Sequence, residues 1–243
     1  MIELADRIEA QAVALTRRVL GEMYANPFWQ ERFGERGRQR AEEDGRYHLT
    51  YLAEALRAES PAILVNYARW LRTVLTTRGM CSRHLAEHFA RLAAAIRDEV
   101  VVGGEAAARY LESAEAALVY DRGPARAIQL AAPTLAEQAV AVLYARHPDW
   151  WGPGGTAGQQ RCREDILYHL SYLADAVALG RADLFADYVR WIAAFLERRG
   201  IPRAHLQEAL AVLDEILAGL PAGARRAARE ALAAGRAAHA GEE

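Results

Sequence analysis

Thirteen residues bring many kinds of reactive side chain together: Arg161-Cys162-Arg163-Glu164-Asp165-Ile166-Leu167-Tyr168-His169-Leu170-Ser171-Tyr172-Leu173. Read as a helix, they hold a thiol, two guanidinium groups, two carboxylates, an imidazole and two phenols. Asp165, His169 and Tyr172 fall at i, i+4 and i+7 and share one face. Leu170, Leu173 and Val177 form the apolar face beside it. A plain amphipathic helix would put leucine or alanine where His169 and Tyr172 stand. A thiolate in such a setting can add to an electrophilic carbon, and an aspartate can balance a buried cation. Arg161 and Arg163 flank Cys162, which is expected near a helix N-terminus. Both features favour the thiolate, with Glu164 and Asp165 acting against it.

Half of this set occurs twice. At an offset of 121 residues, Glu43-Asp44-Gly-Arg-Tyr47-His48-Leu49-Thr50-Tyr51-Leu52-Ala53 returns as Glu164-Asp165-Ile-Leu-Tyr168-His169-Leu170-Ser171-Tyr172-Leu173-Ala174. Tyr67-Ala-Arg69-Trp70 returns as Tyr188-Val-Arg190-Trp191, Arg78-Gly79 as Arg199-Gly200, and His84-Leu85 as His205-Leu206. Pro27 and Trp29 match Pro148 and Trp150. The period is far longer than a solenoid unit, so it marks a duplicated domain. The expected repeats are 1–121 and 122–243, joined near Asp121-Arg-Gly-Pro124. Ala41 stands in the first repeat where Cys162 stands in the second.

The elements that position these residues read as helices throughout. Ile2, Leu4, Ile8, Ala12, Leu15 and Val19 are spaced for one buried stripe, predicting a helix over 2–24. A polar Gly/Arg stretch then leads to a helix over 40–58. Ser60-Pro61 opens another that ends at Gly79, Ser82 starts one over 83–99, and Gly103-Gly104 precedes one near 105–120. In the second repeat Thr134-Leu-Ala-Glu137 reads as a capping box, Gly180 and Gly200 as helix ends, and Pro221-Ala-Gly223 as the lead into the last helix. Gly152-Pro153-Gly154-Gly155 lacks the strand and the Lys-Ser/Thr of a phosphate loop, and reads as a loop over the pocket. No alternating β-branched run competes, so the fold class is all-α.

Composition bounds the function. The chain has 243 residues, 52% hydrophobic and 26% charged, with a formal net charge of -2. That is globular, and it lacks the basic footprint of a nucleic-acid binder. All 30 basic residues are arginine. No apolar run reaches the roughly 20 residues of a bilayer span, and the charged N-terminus does not read as a secretory signal. Two cysteines, Cys81 and Cys162, do not make a disulfide framework, so a reduced cytoplasmic setting is expected. Cys81 has no reactive neighbours and is expected to be inert.

The pattern Cys162-x-x-Asp165-Ile166-x-Tyr168-x-Leu170, closed by Gly180, resembles the chromophore helix of phycobiliproteins such as phycocyanin and allophycocyanin. Asp187-Tyr188, Ile201-Pro202 leading to Glu208-Ala209-Leu210, and Gly104-Glu105-Ala106-Ala107 extend the similarity. The resemblance implies two tandem globin-like domains and a bilin, a linear tetrapyrrole with biliverdin the expected one. It also implies a light sensor or pigment carrier rather than an enzyme. It assigns Asp165 to the pyrrole N–H groups and Cys162 to covalent attachment. Arg161 and Arg163 become candidates for the propionates, in place of the arginine the family sets immediately before its aspartate. Tyr168, His169, Tyr172, Tyr188 and Trp191 complete the expected pocket. Asp44, Tyr47, His48 and Tyr51 form its cysteine-free copy, able to bind a bilin only noncovalently.

Other readings use the same residues. Aromatics at helical spacing are more often core than cofactor box, which applies to Trp70 and Trp191. A chromophore-free globin-like sensor or interaction module would keep the fold. Haem could replace bilin, because His48, His84, His169 and His205 are all duplicated. A di-metal site from Asp44/His48 and Asp165/His169 has i+4 spacing, where the helical-bundle motif uses Glu-x-x-His at i+3. Expected partners are the tetrapyrrole and either a second copy or a signalling partner, with neither nucleic acid nor membrane.

Overall fold

The computed structural model describes residues 1–148 and 155–241. They are helical throughout, without a strand among them. The ten helices are α1 (Ile2–Tyr24), α2 (Pro27–Arg57), α3 (Pro61–Thr76), α4 (Ser82–Glu99), α5 (Gly104–Ala116), α6 (Gly123–Arg146), α7 (Gly155–Leu179), α8 (Ala182–Glu197), α9 (Arg203–Ile216) and α10 (Ala222–Ala240). The 121-residue offset carries α1 onto α6 and α3 onto α8. Of the sequence elements in the polar stretches, Trp150 and Gly152–Gly154 lie outside the described residues.

Two compact units divide the chain. The first comprises Met1–Val74 and His84–Leu118, the second Leu75–Arg83 and Val119–Glu243. In the first, α1 lies along α2. Leu4, Ile8, Leu15 and Val19 bury one stripe of α1, while Leu49, Leu52 and Leu56 bury the matching stripe of α2. In the second unit α6 packs on α7 and α10 on α8. Its core joins Ile128, Leu143, Leu170, Phe185, Leu210 and Leu213. Gly235 lets α10 approach α8 closely, since a Cβ there would stand 2.7 Å from the Phe185 ring.

Two helix starts differ from the sequence expectation. α2 begins at Pro27, not near residue 40, because Asn26 accepts a hydrogen bond from the Phe28 N–H and Pro27 supplies a pre-set first position. The polar Gly/Arg stretch is absorbed into this helix, with the break confined to Gly34 at φ 63°. Thr134-Leu-Ala-Glu137 is no capping box either. It lies inside α6, which starts at Gly123-Pro124 and runs through Pro133. Burial of Ile128, Leu135, Ala139 and Leu143 along one stripe favours continuity over the local start signal.

Candidate functional site

α7 brings Cys162, Asp165, Ile166 and His169 to one wall of a cavity of about 60 Å³ in the second unit. Leu143 closes it from α6, Leu196 and Ile201 from the end of α8 and the connection after it, and His205, Leu206 and Ala209 from α9. Cys162, Asp165 and His169 thus converge because residues at i, i+3 and i+7 share a helix face.

His169 is buried, and its Nδ1 lies 2.7 Å from the Tyr188 hydroxyl. Burial pushes its pKa down to about 4, which keeps the ring neutral. His205 is half-buried and also lowered, by burial and by His147. Asp165 behaves oppositely. Surrounding protein pushes its carboxyl up to about 7, Glu164 adds to the rise, and Arg161 opposes it. The residue is nonetheless exposed to solvent, and water limits the rise.

The expected thiolate at Cys162 is not what the fold makes. α7 starts at Gly155, so Cys162 lies about two turns inside the helix, beyond reach of the terminal dipole. The side chain is buried, and burial followed by the Asp165 charge pushes the thiol up to about 12. The flanking arginines do not offset this. Arg161 is exposed, and Arg163 reaches Glu137 at 3.6 Å. Neither lines the cavity.

The remaining sequence candidates form the scaffold behind it. Tyr172 stacks on Tyr188 with ring centroids 3.7 Å apart, and its hydroxyl donates to the Gly79 carbonyl at 2.9 Å. Tyr168 is half-buried with the Arg83 guanidinium 5.2 Å from its ring centre. Trp191 packs against Phe195 at 4.9 Å. None of these four aromatics borders the cavity.

The first unit repeats the scaffold with a different neighbour beside the histidine. His48 Nδ1 meets the Tyr67 hydroxyl at 2.7 Å, and Tyr51 stacks on Tyr67 at 3.9 Å. Asp44 is half-buried, and Tyr47 is 60% exposed. Here His88 packs edge-on against His48 at 4.8 Å and its Nδ1 lies 3.3 Å from the Met23 sulfur. The position equivalent to His88 in the second unit is Ala209, and the smaller side chain leaves space beside His169.

Sequence reasoning missed two contributors. One is Ala209, which carries no chemical signal by itself. The other is Asp175, buried on α7 and accepting from the Ser82 N–H at 2.6 Å, the Ser82 hydroxyl and the Tyr120 hydroxyl at 2.8 Å. Its signal was available, since the repeat places a carboxylate, Glu54, at the same position.

No protein-family model, curated protein or solved structure matches the chain. Among the described residues, no helix is long and apolar enough to cross a membrane, and no trio of histidine, cysteine and acidic side chains is arranged for a metal ion.

Proposed function

We propose that the second unit binds a linear tetrapyrrole, biliverdin for choice, in the α7–α9 cavity, and serves as a light sensor or pigment carrier with a globin-like fold. The observation that carries this reading is the convergence of Cys162, Asp165 and His169 on one cavity. The donor set suits the group. A carboxylate at Asp165 balances the charge of a protonated pyrrole system, which a bilin supplies when bound. His169, its Nδ1 held by Tyr188, turns its other ring nitrogen to whatever lies beside it. Apolar Leu143, Ile166, Leu196 and Leu206 exclude water from the conjugated rings.

The cavity is smaller than the roughly 300 Å³ at the low end of ligand sites, so binding has to displace side chains of its wall. Leu196 and Ile201, at the end of α8 and in the connection to α9, are the walls not embedded in a helix middle. In the first unit Ala41 removes the attachment point and His88 packs against His48 where Ala209 lies near His169, so one pigment per chain is expected. Expression with and without a biliverdin supply, followed by absorption spectroscopy, tests this. A red absorption band that appears only with the biliverdin supply supports it.

A second reading, a chromophore-free interaction module, is favoured by one observation. His169, Tyr172 and Tyr188 already satisfy one another and the Gly79 carbonyl, which is a core role. A colourless protein after pigment supply would establish it. A Soret band would point instead to haem, with His169 and His205 both facing the cavity.

A further inference from the structure

The second unit contains a seating that the chain provides for twice and completes once. Within that unit the segment Leu75–Arg83 lies against α7. The Gly79 carbonyl accepts from Tyr172, the Ser82 N–H donates to Asp175, and the Arg83 N–H donates to the Ser171 hydroxyl at 3.1 Å. Cys81 and Ser82 are buried there, as are Tyr172 and Asp175. The start of α4 is therefore capped by α7.

Both halves of this seating have equivalents 121 residues away. Ser171, Tyr172 and Asp175 correspond to Thr50, Tyr51 and Glu54 on α2. Gly79, Ser82 and Arg83 correspond to Gly200, Arg203 and Ala204 in the α8–α9 connection. The backbone shape recurs, with Gly79 at φ 86° and Gly200 at φ 74°, a left-handed conformation suited to glycine. The burial does not recur. Thr50 and Glu54 are exposed on α2, flanked by Tyr47 and by Trp70 at 59% exposure. Gly200, Pro202 and Ala204 are exposed as well. The N-cap residue of α9, Pro202, supplies no side-chain cap.

We infer that this chain associates head to tail with a second copy of itself, the α8–α9 connection of one copy seating on the α2 face of the next. The chemistry of the buried seating is available again. The Gly200 carbonyl faces the Tyr51 hydroxyl in place of the Gly79–Tyr172 pair, and the Ala204 N–H meets the Thr50 hydroxyl. Glu54 caps the start of α9 as Asp175 caps α4, and joins Glu197, 3.3 Å from the Arg203 guanidinium, as a second carboxylate beside that cation. Tyr47 and Trp70 supply the aromatic surface that interfaces favour. One contact is lost, because Ala204 replaces the arginine that covers Tyr168. Such an interface joins two different surfaces, so each added copy presents a fresh face and the assembly grows as a ring or an open filament.

Sedimentation velocity of the full chain over a wide concentration range tests this with two exposed-site variants. Thr50→Glu disables the α2 face. Ala204→Glu disables the connection and, as an acidic residue in the first turn of α9, favours that helix. Wild-type chain is expected to gain mass with concentration, and each variant alone to stay monomeric. An equimolar mixture of the two is expected to stop at a dimer, since only one interface remains competent. The milder Glu54→Gln weakens association by about tenfold and guards against a folding defect in α2. A wild-type chain that stays monomeric throughout would overturn the inference. So would a mixture that yields no dimer, or a single variant that assembles like wild type.

Discussion

The Nδ1 of His169 and the hydroxyl of Tyr188 stand 2.7 Å apart, and His48 and Tyr67 reproduce this separation in the first unit. In each case a second tyrosine, Tyr172 or Tyr51, stacks on the hydrogen-bonded one. The histidine, the partner tyrosine and the stacked tyrosine form one unit of structure, present twice. It fixes the ring of His169 at the cavity wall.

Tyr188→Phe removes the hydroxyl and leaves a buried imidazole nitrogen unsatisfied. Stability is expected to fall by about 1–3 kcal/mol, the usual cost of an orphaned buried polar group. Tyr67→Phe should cost a similar amount in the first unit. Urea denaturation followed by helical circular dichroism measures both, and an unchanged midpoint would show that water replaces the hydroxyl.

Acid should weaken the fold well before the exposed carboxylates titrate. His88 and His169 are held down to about 4 by burial, and His48 is lowered by burial and by the neighbouring His88. An unfolded histidine titrates near about 6.5, so below that pH the unfolded chain binds protons the folded one refuses. Stability is therefore full above about 6.5 and drains away towards 4, at about 1.4 kcal/mol per histidine per pKa unit. Asp165 acts the other way, since its raised carboxyl gains stability as pH falls below about 7. Its exposure to solvent makes that gain the smaller effect. Urea midpoints should drop steadily between pH 7 and pH 5, and His169→Gln should make the drop shallower.

Asp175→Ala should be among the most damaging single changes in the second unit. It strips an acceptor from the Ser82 N–H, the Ser82 hydroxyl and the Tyr120 hydroxyl at once. Leaving buried donors without their acceptor costs about 1–3 kcal/mol each, without simple addition, so a loss of about 3 kcal/mol is expected. Thermal denaturation of Asp175→Ala beside Glu54→Ala checks it. The exposed Glu54 of the isolated chain should tolerate the change.

Cys162 should react slowly in the folded protein. Burial and the Asp165 charge push the thiol up, so little thiolate is present at neutral pH. A disulfide reagent should modify neither Cys162 nor the buried Cys81 quickly until urea opens the fold. On the proposed function, pigment should bind first and attach later, with attachment accelerating as pH rises. Cys162→Ala should keep binding and lose the adduct, read by zinc-enhanced fluorescence on a denaturing gel. An adduct that persists would leave Cys81 as the attachment site.

Ala209→Leu fills the cavity with apolar volume. Stability is expected to hold or rise by about 1 kcal/mol, because the cavity wall gains contacts without displacing a polar group. Pigment uptake in the second unit should be lost. His88→Ala makes the converse change and should destabilise the first unit by about 2 kcal/mol through the void it leaves. Retained pigment in Ala209→Leu would place the binding surface elsewhere.

The helical architecture was open to reading from sequence, because apolar spacing at 3.6 residues and proline or glycine at helix ends are local signals. Glu43 to Ala53 recurring as Glu164 to Ala174 also announced that His48 and His169 would share an environment, and their tyrosine partners bear this out. Spacing placed Asp165, His169 and Tyr172 on one helix face, whereas the cavity wall takes Asp165 and His169 with Cys162, and Tyr172 stacks on Tyr188 instead. What lies opposite that face was decided only by tertiary packing. What stands beside the histidine depends on a residue 40 positions later in each repeat, His88 against His48 or Ala209 in the wall of the cavity that His169 lines. The state of the Cys162 thiol was equally beyond local reading. Flanking arginines argued for a thiolate, but α7 starts at Gly155, about two turns before Cys162, and burial of the sulfur outweighs charges that point to solvent. Nor does any local pattern send Leu75–Arg83 into the second unit. That seating depends on a buried carboxylate meeting donors 93 residues away in sequence, a match that exists only once the chain has folded.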